Sequence, residues 1–307
     1  MSAKERLQLL SNTLSEYECE HLLRAVGEVA TGERFWETDI GLLYNEYVKA
    51  RYFNIARNLS NLIPASPAQD DGLFAPLPLS KHYPNATMVD LPPPRTLSGA
   101  LGETLAQRRS RRDYRSVNMS IETLSDLLHH ACGVTARVSG YDYNLLPLRS
   151  FPTSGGLQTP EIYVSVQSVD GLQPGLYHYN VRTHRLELLK PGNHGRTLRG
   201  LALDQSFVEN ACVTLLLTGF YERLRWKYGE RGYRYMCMDM GFLGQNLYLV
   251  AEALGLGACA IAGFVDDAAE EVLDVNGRDE IILLLMTVGV PVELSGEEET
   301  AAPPGGA

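Results

Sequence analysis

The chain of 307 residues has few cysteines, no long apolar run and no excess of positive charge. Its five cysteines lie far apart, with no CxxC pair and no histidine grouping, so neither a disulfide framework nor a metal site is indicated. Because no run of about eighteen apolar residues occurs, a membrane-spanning helix is not expected. The charged, amphipathic first residues lack the apolar core of a secretory signal, which favours a cytoplasmic protein.

The formal net charge of −10 argues against nucleic acid as the main partner. Proteins that bind phosphate backbones present an extended basic surface, whereas acidic and basic residues are mixed along most of this chain. The hydrophobic fraction of 45% and the charged fraction of 21% are ordinary for a globular domain. Composition therefore predicts a globular protein with a full core.

One short stretch breaks this balance: RRSRRDYR, residues 108–115, carries five arginines in eight positions. Four interpretations compete, namely a nuclear-localisation patch, a nucleic-acid arm, a solvated helix face and a pocket for one bound anion. The acidic remainder of the chain disfavours the first two. Charge runs are commonly solvated faces, so the third stays open. An anion pocket is favoured if neighbouring motifs support it.

Three regions are predicted along the chain. Residues 1–92 combine helical spacing with a proline-rich connector and are interpreted as a helical N-terminal extension. Residues 93–293 alternate between helix and strand patterns and form the predicted main domain. The tail, residues 294–307, ends in SGEEETAAPPGGA and is predicted to be disordered, because that segment has no apolar residue larger than alanine.

Local patterns in the main domain predict several elements. SIETLSDLLHHACG indicates a helix that begins after Ser120 and stops at Gly133, since serine suits an N-cap and glycine a helix C-terminus. EIYVSVQ, residues 161–167, alternates like a strand, and GLYHYN with RLELLK resembles a hairpin. The apolar runs ACVTLLLTGF and EIILLLMTVGV are predicted to be central strands buried on both faces.

RYMCMDMGFLGQNLYLVAEALGLG is predicted to be a long helix that is apolar around most of its circumference. Such a helix is buried, either in a large core or against another subunit. Gly241 and Gly244 each cost about 1 kcal/mol relative to alanine, which is tolerated where another backbone approaches closely. A dimer seam is therefore favoured, with a monomer core as the alternative.

Two glycine-containing segments are candidate ligand sites. PTSGGLQTPE, residues 152–161, places two hydroxyls and a Gly-Gly pair before a strand, and glycines let backbone N–H groups approach a ligand closely. GLGACAIAGF, residues 255–264, ends in a glycine that could lie flat against a planar ring. Each segment alone is weak, because turns and closely packed strand ends look similar.

The order of these motifs resembles the FMN-dependent nitroreductase superfamily, and more narrowly the SagB-type dehydrogenases, the azoline oxidases of thiazole and oxazole peptide biosynthesis. The resemblance rests on RRSxRxY, PxSGG, WKYGxRxYRY and ALGLG, and covers about residues 97–290. It implies an α+β nitroreductase-like fold with a mostly antiparallel central sheet flanked by helices, and FMN as cofactor.

The resemblance also implies which residues bind the flavin. The phosphate and ribityl chain would be held by Arg108, Arg109, Ser110 and Arg112. The isoalloxazine would be contacted, usually from the partner subunit, by Pro152, Thr153, Ser154, Gly155 and Gly156. Ala262 and Gly263 would lie by the reactive face of the ring. One departure leaves the phosphate site incomplete: many relatives supply a late lysine or arginine, whereas none follows Arg278 here, and Arg231 or Arg234 would have to substitute.

The resemblance credits catalysis to an adjacent Lys-Tyr pair, here Lys227 and Tyr228 in WKYGERGYRY. Aromatising an azoline removes a proton from the α-carbon of the ring and a hydride from its β-carbon, so a base is needed. Either a tyrosine phenolate stabilised by the neighbouring ammonium or a desolvated lysine could serve. The alternative is that Tyr228 packs and Lys227 is solvated.

The function implied is oxidation of thiazolines and oxazolines to thiazoles and oxazoles in a ribosomally made peptide, with dioxygen reoxidising FMN. The expected partners are an azoline-containing precursor peptide, a second copy in a homodimer, and a cyclodehydratase complex. Neither nucleic acid nor membrane is expected. Two rivals stay open, because one fold serves many reactions: an NAD(P)H-dependent reductase of nitro compounds, quinones or alkenes, and a non-catalytic scaffold.

Overall fold

The structure, a computed structural model, describes residues 77–140 and 143–292. The chain forms two compact units. One comprises Leu77–Leu224 and Tyr235–Ala307, and the other comprises Met1–Pro76 and Arg225–Arg234. Most of the predicted N-terminal extension and the whole predicted tail, residues 294–307, lie outside the described residues.

A seven-stranded sheet forms the centre of the first unit. Its strands are β1 (Thr87–Asp90), β4 (Pro160–Val166), β5 (Gly175–Asn180), β6 (Arg185–Pro191), β7 (Val213–Phe220), β8 (Gly257–Ile261) and β9 (Glu280–Gly289). They lie in the order β1-β6-β5-β4-β7-β9-β8, and every neighbouring pair is antiparallel. A separate hairpin pairs β2 (Val134–Gly140) with β3 (Tyr143–Arg149). The antiparallel sheet implied by the resemblance is confirmed.

Helices cover both faces of this sheet. The helices of the described residues are α1 (Leu101–Gln107), α2 (Ile121–Cys132), α3 (Gly195–Leu201), α4 (Phe207–Asn210), α5 (Glu222–Tyr228), α6 (Arg231–Ala253) and α7 (Asp266–Leu273). Leu128 of α2 and Leu247 of α6 belong to one core, together with Leu215 of β7. The next strand residue, Leu216, enters a second core with Leu273 of α7. Successive strand residues point to opposite faces, so one apolar run supplies both cores.

Several local predictions are confirmed. The Ser120 hydroxyl accepts a hydrogen bond from the Thr123 N–H at 3.1 Å, and α2 ends before Gly133. β5 and β6 form the predicted hairpin, while β7 and β9 lie in the interior of the sheet. A side chain at Gly219 in β7 would come within 2.4 Å of the Met236 sulfur, so the missing side chain lets α6 pack closely on the sheet.

The sheet begins before the main-domain boundary predicted at residue 93. β1 pairs with β6, with Thr87 opposite Leu188 and Asp90 opposite Arg185. Residues 87–90 therefore contribute an edge strand to the sheet. The division into extension, main domain and tail otherwise stays a prediction.

Candidate functional site

The arginine-rich segment is extended chain that lies against the edge strand β8. α1 ends at Gln107, so the arginines that follow are not on a helix face. Ser110 bridges Ala258 in parallel, and the Arg111 N–H donates to the Ala258 carbonyl at 2.9 Å. A side chain at Gly257 would lie 2.9 Å from the Arg111 Cβ, so this glycine permits the close approach.

Tyr248 of α6 connects this segment to β8. Its Oη lies 3.0 Å from the Ser110 Oγ and accepts a hydrogen bond from the Ala260 N–H at 2.7 Å. The Arg108 guanidinium carbon lies 5.1 Å from the centre of the Tyr248 ring, a cation–π distance. Tyr248 was not selected from the sequence, because a tyrosine in an apolar helix gives no sign of which strand and segment it will join.

The ion pairs of the arginine segment bear on whether it can bind an anion. Within residues 77–140 and 143–292, no carboxylate lies at ion-pair distance from Arg108, Arg111 or Arg112. Arg112 is exposed, and Arg108 and Arg111 are half-buried, so an anion from outside the chain can reach these side chains. Guanidinium groups bind phosphate oxygens in pairs and stay charged at any working pH. The residues present therefore fit the phosphate end of FMN.

The glycine segment forms a tight turn between Ser154 and Gly156. Gly155 and Gly156 have φ angles of 62° and 71°, in the left-handed region that glycine adopts at little cost. The Ser154 Oγ donates to Asp239 of α6 at 2.7 Å, so this hydroxyl is directed at the protein. Pro152 and Gly155 are exposed, so the outer side of the turn is available to a ligand.

The two motifs contact opposite sides of α6. Ser154 meets Asp239 and Ser110 meets Tyr248, nine residues further along. At about 100° and 1.5 Å per residue, Asp239 and Tyr248 lie about 180° apart around the helix and about 13 Å apart along it. One copy of the chain therefore does not bring the arginine segment and the glycine turn together on one side of this helix.

An exposed strip of α6 runs between these two contacts. Its residues are Met238, 50% exposed, Phe242, 44% exposed, and the exposed Gly241 and Gln245. No described atom lies within 4 Å of the position that a Gly241 Cβ would occupy. By contrast, Met240, Leu243 and Leu247 are buried against the sheet. The helix is thus buried on one side only, and the rest of its apolar surface is available to another chain.

Two further sets of predicted site residues have clear local positions. Ala262 and Gly263 are exposed and directly follow β8, the strand along which the arginine segment runs. Lys227 and Tyr228 end α5, with the Lys227 Nζ 5.1 Å from the centre of the Tyr228 ring. Lys227, Tyr228, Arg231 and Arg234 belong to the second compact unit, and their roles stay predictions.

A buried ionic cluster lies on the sheet apart from these motifs. His178 is fully buried, with Nδ1 2.8 Å from the Glu187 Oε2 and Nε2 3.1 Å from the Glu161 Oε2. Burial alone would raise the pKa of Glu161, but Arg223 and His178 outweigh burial and hold it at about 2. Burial would lower the pKa of His178, but its bonds to the two glutamates raise it. His178 therefore has a structural position, with its ring fixed between two carboxylates.

Family comparison identifies the class that this fold and site define. Residues 105–290 match the Nitroreductase family. The chain belongs to the nitroreductase family, whose members are oxidoreductases that generally bind FMN. Among residues 77–140 and 143–292, every helix is too short or too polar to serve as a membrane span.

Particular relatives refine this placement. A protein of Methanocaldococcus jannaschii named "Putative nitroreductase" is 36% identical over 193 residues, covering 63% of this chain and 92% of that protein. Trifolitoxin-processing protein TfxB of Rhizobium leguminosarum bv. trifolii is 29% identical, covering 52% of this chain and 44% of that protein. Microcin B17-processing protein McbC of Escherichia coli is 27% identical, covering 46% of this chain and 54% of that protein. The chain thus spans about half the length of its two peptide-processing relatives.

Solved structures agree on the fold. A nitroreductase-type structure from Anabaena variabilis has a TM-score of 0.57 at 28% identity, covering 68% of this chain and 42% of that one. A chain of the E. coli microcin synthetase McbBCD complex with truncated pro-MccB17 has a TM-score of 0.53 at 20% identity, covering 85% and 99%. The resemblance to the nitroreductase superfamily is confirmed, and the peptide-processing relatives support its SagB-type branch.

Proposed function

We propose that this protein is an FMN-dependent dehydrogenase that oxidises thiazolines and oxazolines to thiazoles and oxazoles in a ribosomally made peptide. The observation that carries the proposal is the similarity of this nitroreductase-family chain to two peptide-processing proteins. Among the described residues, Arg108, Arg111 and Arg112 also have no carboxylate at ion-pair distance. The fold likeness to a chain of the microcin synthetase complex agrees with it. An azoline-bearing precursor peptide is the substrate, and a cyclodehydratase that forms the azoline is the partner.

The chain's own residues would hold the flavin as follows. Arg108, Arg112 and Ser110 bind the phosphate and ribityl end of FMN. They lie beside β8, and Tyr248 connects their segment to that strand. Arg109 lies on the same segment. Ala262 and Gly263, small and exposed at the end of β8, leave room for a planar ring. When bound, FMN supplies the hydride acceptor of the reaction.

The complete site is built by two copies of the chain. The exposed strip of α6, centred on Gly241 and Phe242, lies between the Ser154 contact on one side and the Ser110 contact on the other. A second copy that packs on this strip with twofold symmetry would place its glycine turn opposite the first copy's arginine segment. Pro152–Gly156 of one chain and Arg108–Arg112 of the other would then hold one flavin.

Lys227 and Tyr228 move the proton. One of these two side chains accepts the α-carbon proton of the azoline, and they lie together, with the Lys227 Nζ 5.1 Å from the centre of the Tyr228 ring. A Tyr228→Phe variant should keep its bound FMN, since this residue does not hold the phosphate, yet lose azole formation. Flavin absorbance and product mass measure the two effects separately. Azole formation at the wild-type rate would show that another group is the base.

A flavin reductase is the second candidate, favoured by the 36% identity to the M. jannaschii protein named as a nitroreductase. The two functions differ in the direction of hydride transfer. In parallel assays, the proposed enzyme converts an azoline peptide in air without NAD(P)H. Rapid NAD(P)H-dependent reduction of a nitroaromatic, with no change to the azoline peptide, would establish the reductase instead.

A further inference from the structure

Asp239 is a buried carboxylate in the middle of an apolar helix. Its side chain is almost fully enclosed, at 1% exposure. Within the described residues no cation lies at ion-pair distance from it. A buried charge without a counter-ion is costly unless hydrogen bonds compensate, so its position calls for an explanation other than helix packing.

Three donors on the glycine segment supply part of that compensation, although burial still raises the pKa of Asp239. The Ser154 N–H lies 2.9 and 3.0 Å from the two carboxylate oxygens, and the Ser154 hydroxyl donates at 2.7 Å. The Thr159 hydroxyl donates at 3.2 Å. One carboxylate therefore holds both ends of the loop 154–159, and Thr159 directly precedes β4.

The loop between Ser154 and Thr159 has a backbone conformation that its own residues do not favour strongly. Gly155, Gly156 and Gln158 all have positive φ angles, of 62°, 71° and 54°. Gln158 is not a glycine, and its left-handed conformation persists only where surrounding contacts impose it. Asn246, two turns further along the same side of α6, donates to the Ser150 carbonyl at 3.1 Å and steadies the chain just before the turn.

We propose that Asp239 is a positioning residue that fixes the glycine turn in the conformation that meets the isoalloxazine of FMN. The proposal rests on the proposed flavin site. Asp239 does not touch the flavin itself; it acts through Ser154, whose hydroxyl and N–H it holds on the inner side. The outer side, at Pro152 and Gly155, is thereby presented to the ring.

The test compares Asp239→Asn, Ser154→Ala and the double variant in the full-length protein. An amide has the shape of the carboxylate but one acceptor oxygen, so Asp239→Asn should raise the Kd for FMN about tenfold, the usual effect of losing a buried charged hydrogen bond. The spectrum of bound FMN should shift as well. The double variant should bind FMN no more weakly than Asp239→Asn, because both changes break one linkage. Thr159→Val, which removes the longest of the bonds, is the matched mild control.

The possible outcomes distinguish the positioning role of Asp239 from the proposed flavin site on which it rests. Wild-type Kd and spectrum in Asp239→Asn, or additive effects in the double variant, would overturn the positioning role while leaving the flavin site in place. Failure of the wild-type protein to bind FMN would overturn both. Binding of FMN without azoline oxidation would reject only the proposed reaction. Should Asp239→Asn not fold, Ser154→Ala carries the test, since it must weaken FMN binding more than Thr159→Val does.

Discussion

At the scale of single residues, the arginine segment gives the clearest electrostatic argument. Arg108, Arg111 and Arg112 have no carboxylate partner among the described residues, in a chain with ten more acidic than basic side chains. Arg112 is exposed, and Arg108 and Arg111 are half-buried, so an anion from outside the chain can reach them. The proposal that this segment binds the phosphate of FMN is therefore testable by charge reversal.

Arg112→Glu should strip FMN from the protein. Two unit charges 4 Å apart interact by about 4 kcal/mol near a protein surface, so repulsion in place of attraction should raise the Kd by at least about tenfold even after solvent screening. Fluorescence titration with FMN measures the change. Arg115→Glu is the control, because it makes the same change of charge in the same stretch outside the predicted site. Equal losses in both variants would indicate a general charge effect.

Asp239 and Tyr248 show why the sequence identified only some of the residues that build the candidate site. The sequence identified the arginines, the Gly-Gly pair and the Ser120 cap, whose chemistry is local. It did not identify Asp239 or Tyr248, which act through contacts 85 and 138 residues away in sequence. A lone acid in an otherwise apolar helix was the available signal for Asp239. No comparable signal marked Tyr248, since tyrosine packs readily in cores.

At the scale of elements, the buried ionic cluster connects three neighbouring strands. His178 of β5 faces Glu161 of β4 and Glu187 of β6. Other charged or titratable groups at the cluster are Arg223, which pairs with Glu161, His82, which meets Glu187, Lys81, which pairs with Glu280, and the phenols of Tyr83 and Tyr163. Three glutamates face two permanent cations, so a protonated His178 completes the balance.

The cluster predicts how stability depends on pH. The pKa of folded His178 is raised above the ordinary 6.5, so its contribution is complete below about 6.5 and is lost as pH rises through the raised value. The pKa values of Glu161 and Glu187 fall to about 2, so their contribution is complete above 4.5 and is lost as pH falls towards 2. Tm should therefore be highest between these limits.

Thermal unfolding of two variants tests this assignment. The wild-type protein should lose a few degrees of Tm between pH 6.5 and pH 9, at about 3 °C for each 1 kcal/mol lost. His178→Gln should start lower and lose that slope. His130→Gln, at a histidine outside the cluster, should keep it. A slope unchanged in His178→Gln would assign the effect to another group.

The helices and strands of this protein were predicted better than its long-range side-chain contacts. The hairpin of β5 and β6 and the interior positions of β7 and β9 followed from strand periodicity and from apolar runs. The edge strand β1 falls within the predicted proline-rich connector, because a strand of four residues beside prolines carries little periodic signal. The apolar pattern of α6 predicts a helix that packs against a second subunit, with a monomer core as the alternative. Within the described residues α6 is buried on one side, and the dimer stays a prediction.

At the scale of the whole molecule, the proposed flavin site requires two copies of the chain. Phe242→Lys should yield a monomer that does not retain FMN, because a charge in the exposed strip of α6 opposes burial against a second chain. Light scattering after gel filtration and flavin absorbance measure the two effects. Met88→Lys, at another exposed apolar residue, is the control. A dimeric, flavin-bound Phe242→Lys protein would place the interface elsewhere.

Mixing two inactive variants tests whether the flavin site is shared. Arg112→Glu damages the arginine segment, and Gly155→Val damages the turn, because a β-branched residue is strained at a φ of 62°. If each site takes one motif from each chain, a mixed dimer contains one intact site and regains FMN binding. A site confined to one chain would stay empty in every mixture.

The central claim is that this chain removes two hydrogens from a peptide azoline and passes the hydride to its own flavin. A single turnover without oxygen tests it most directly, with the FMN-loaded protein mixed with an azoline-bearing peptide. The proposed activity predicts that the flavin bleaches and that the peptide mass falls by two hydrogens, with one ring oxidised for each flavin reduced. An unchanged peptide beside a flavin that bleaches only with NAD(P)H would contradict it.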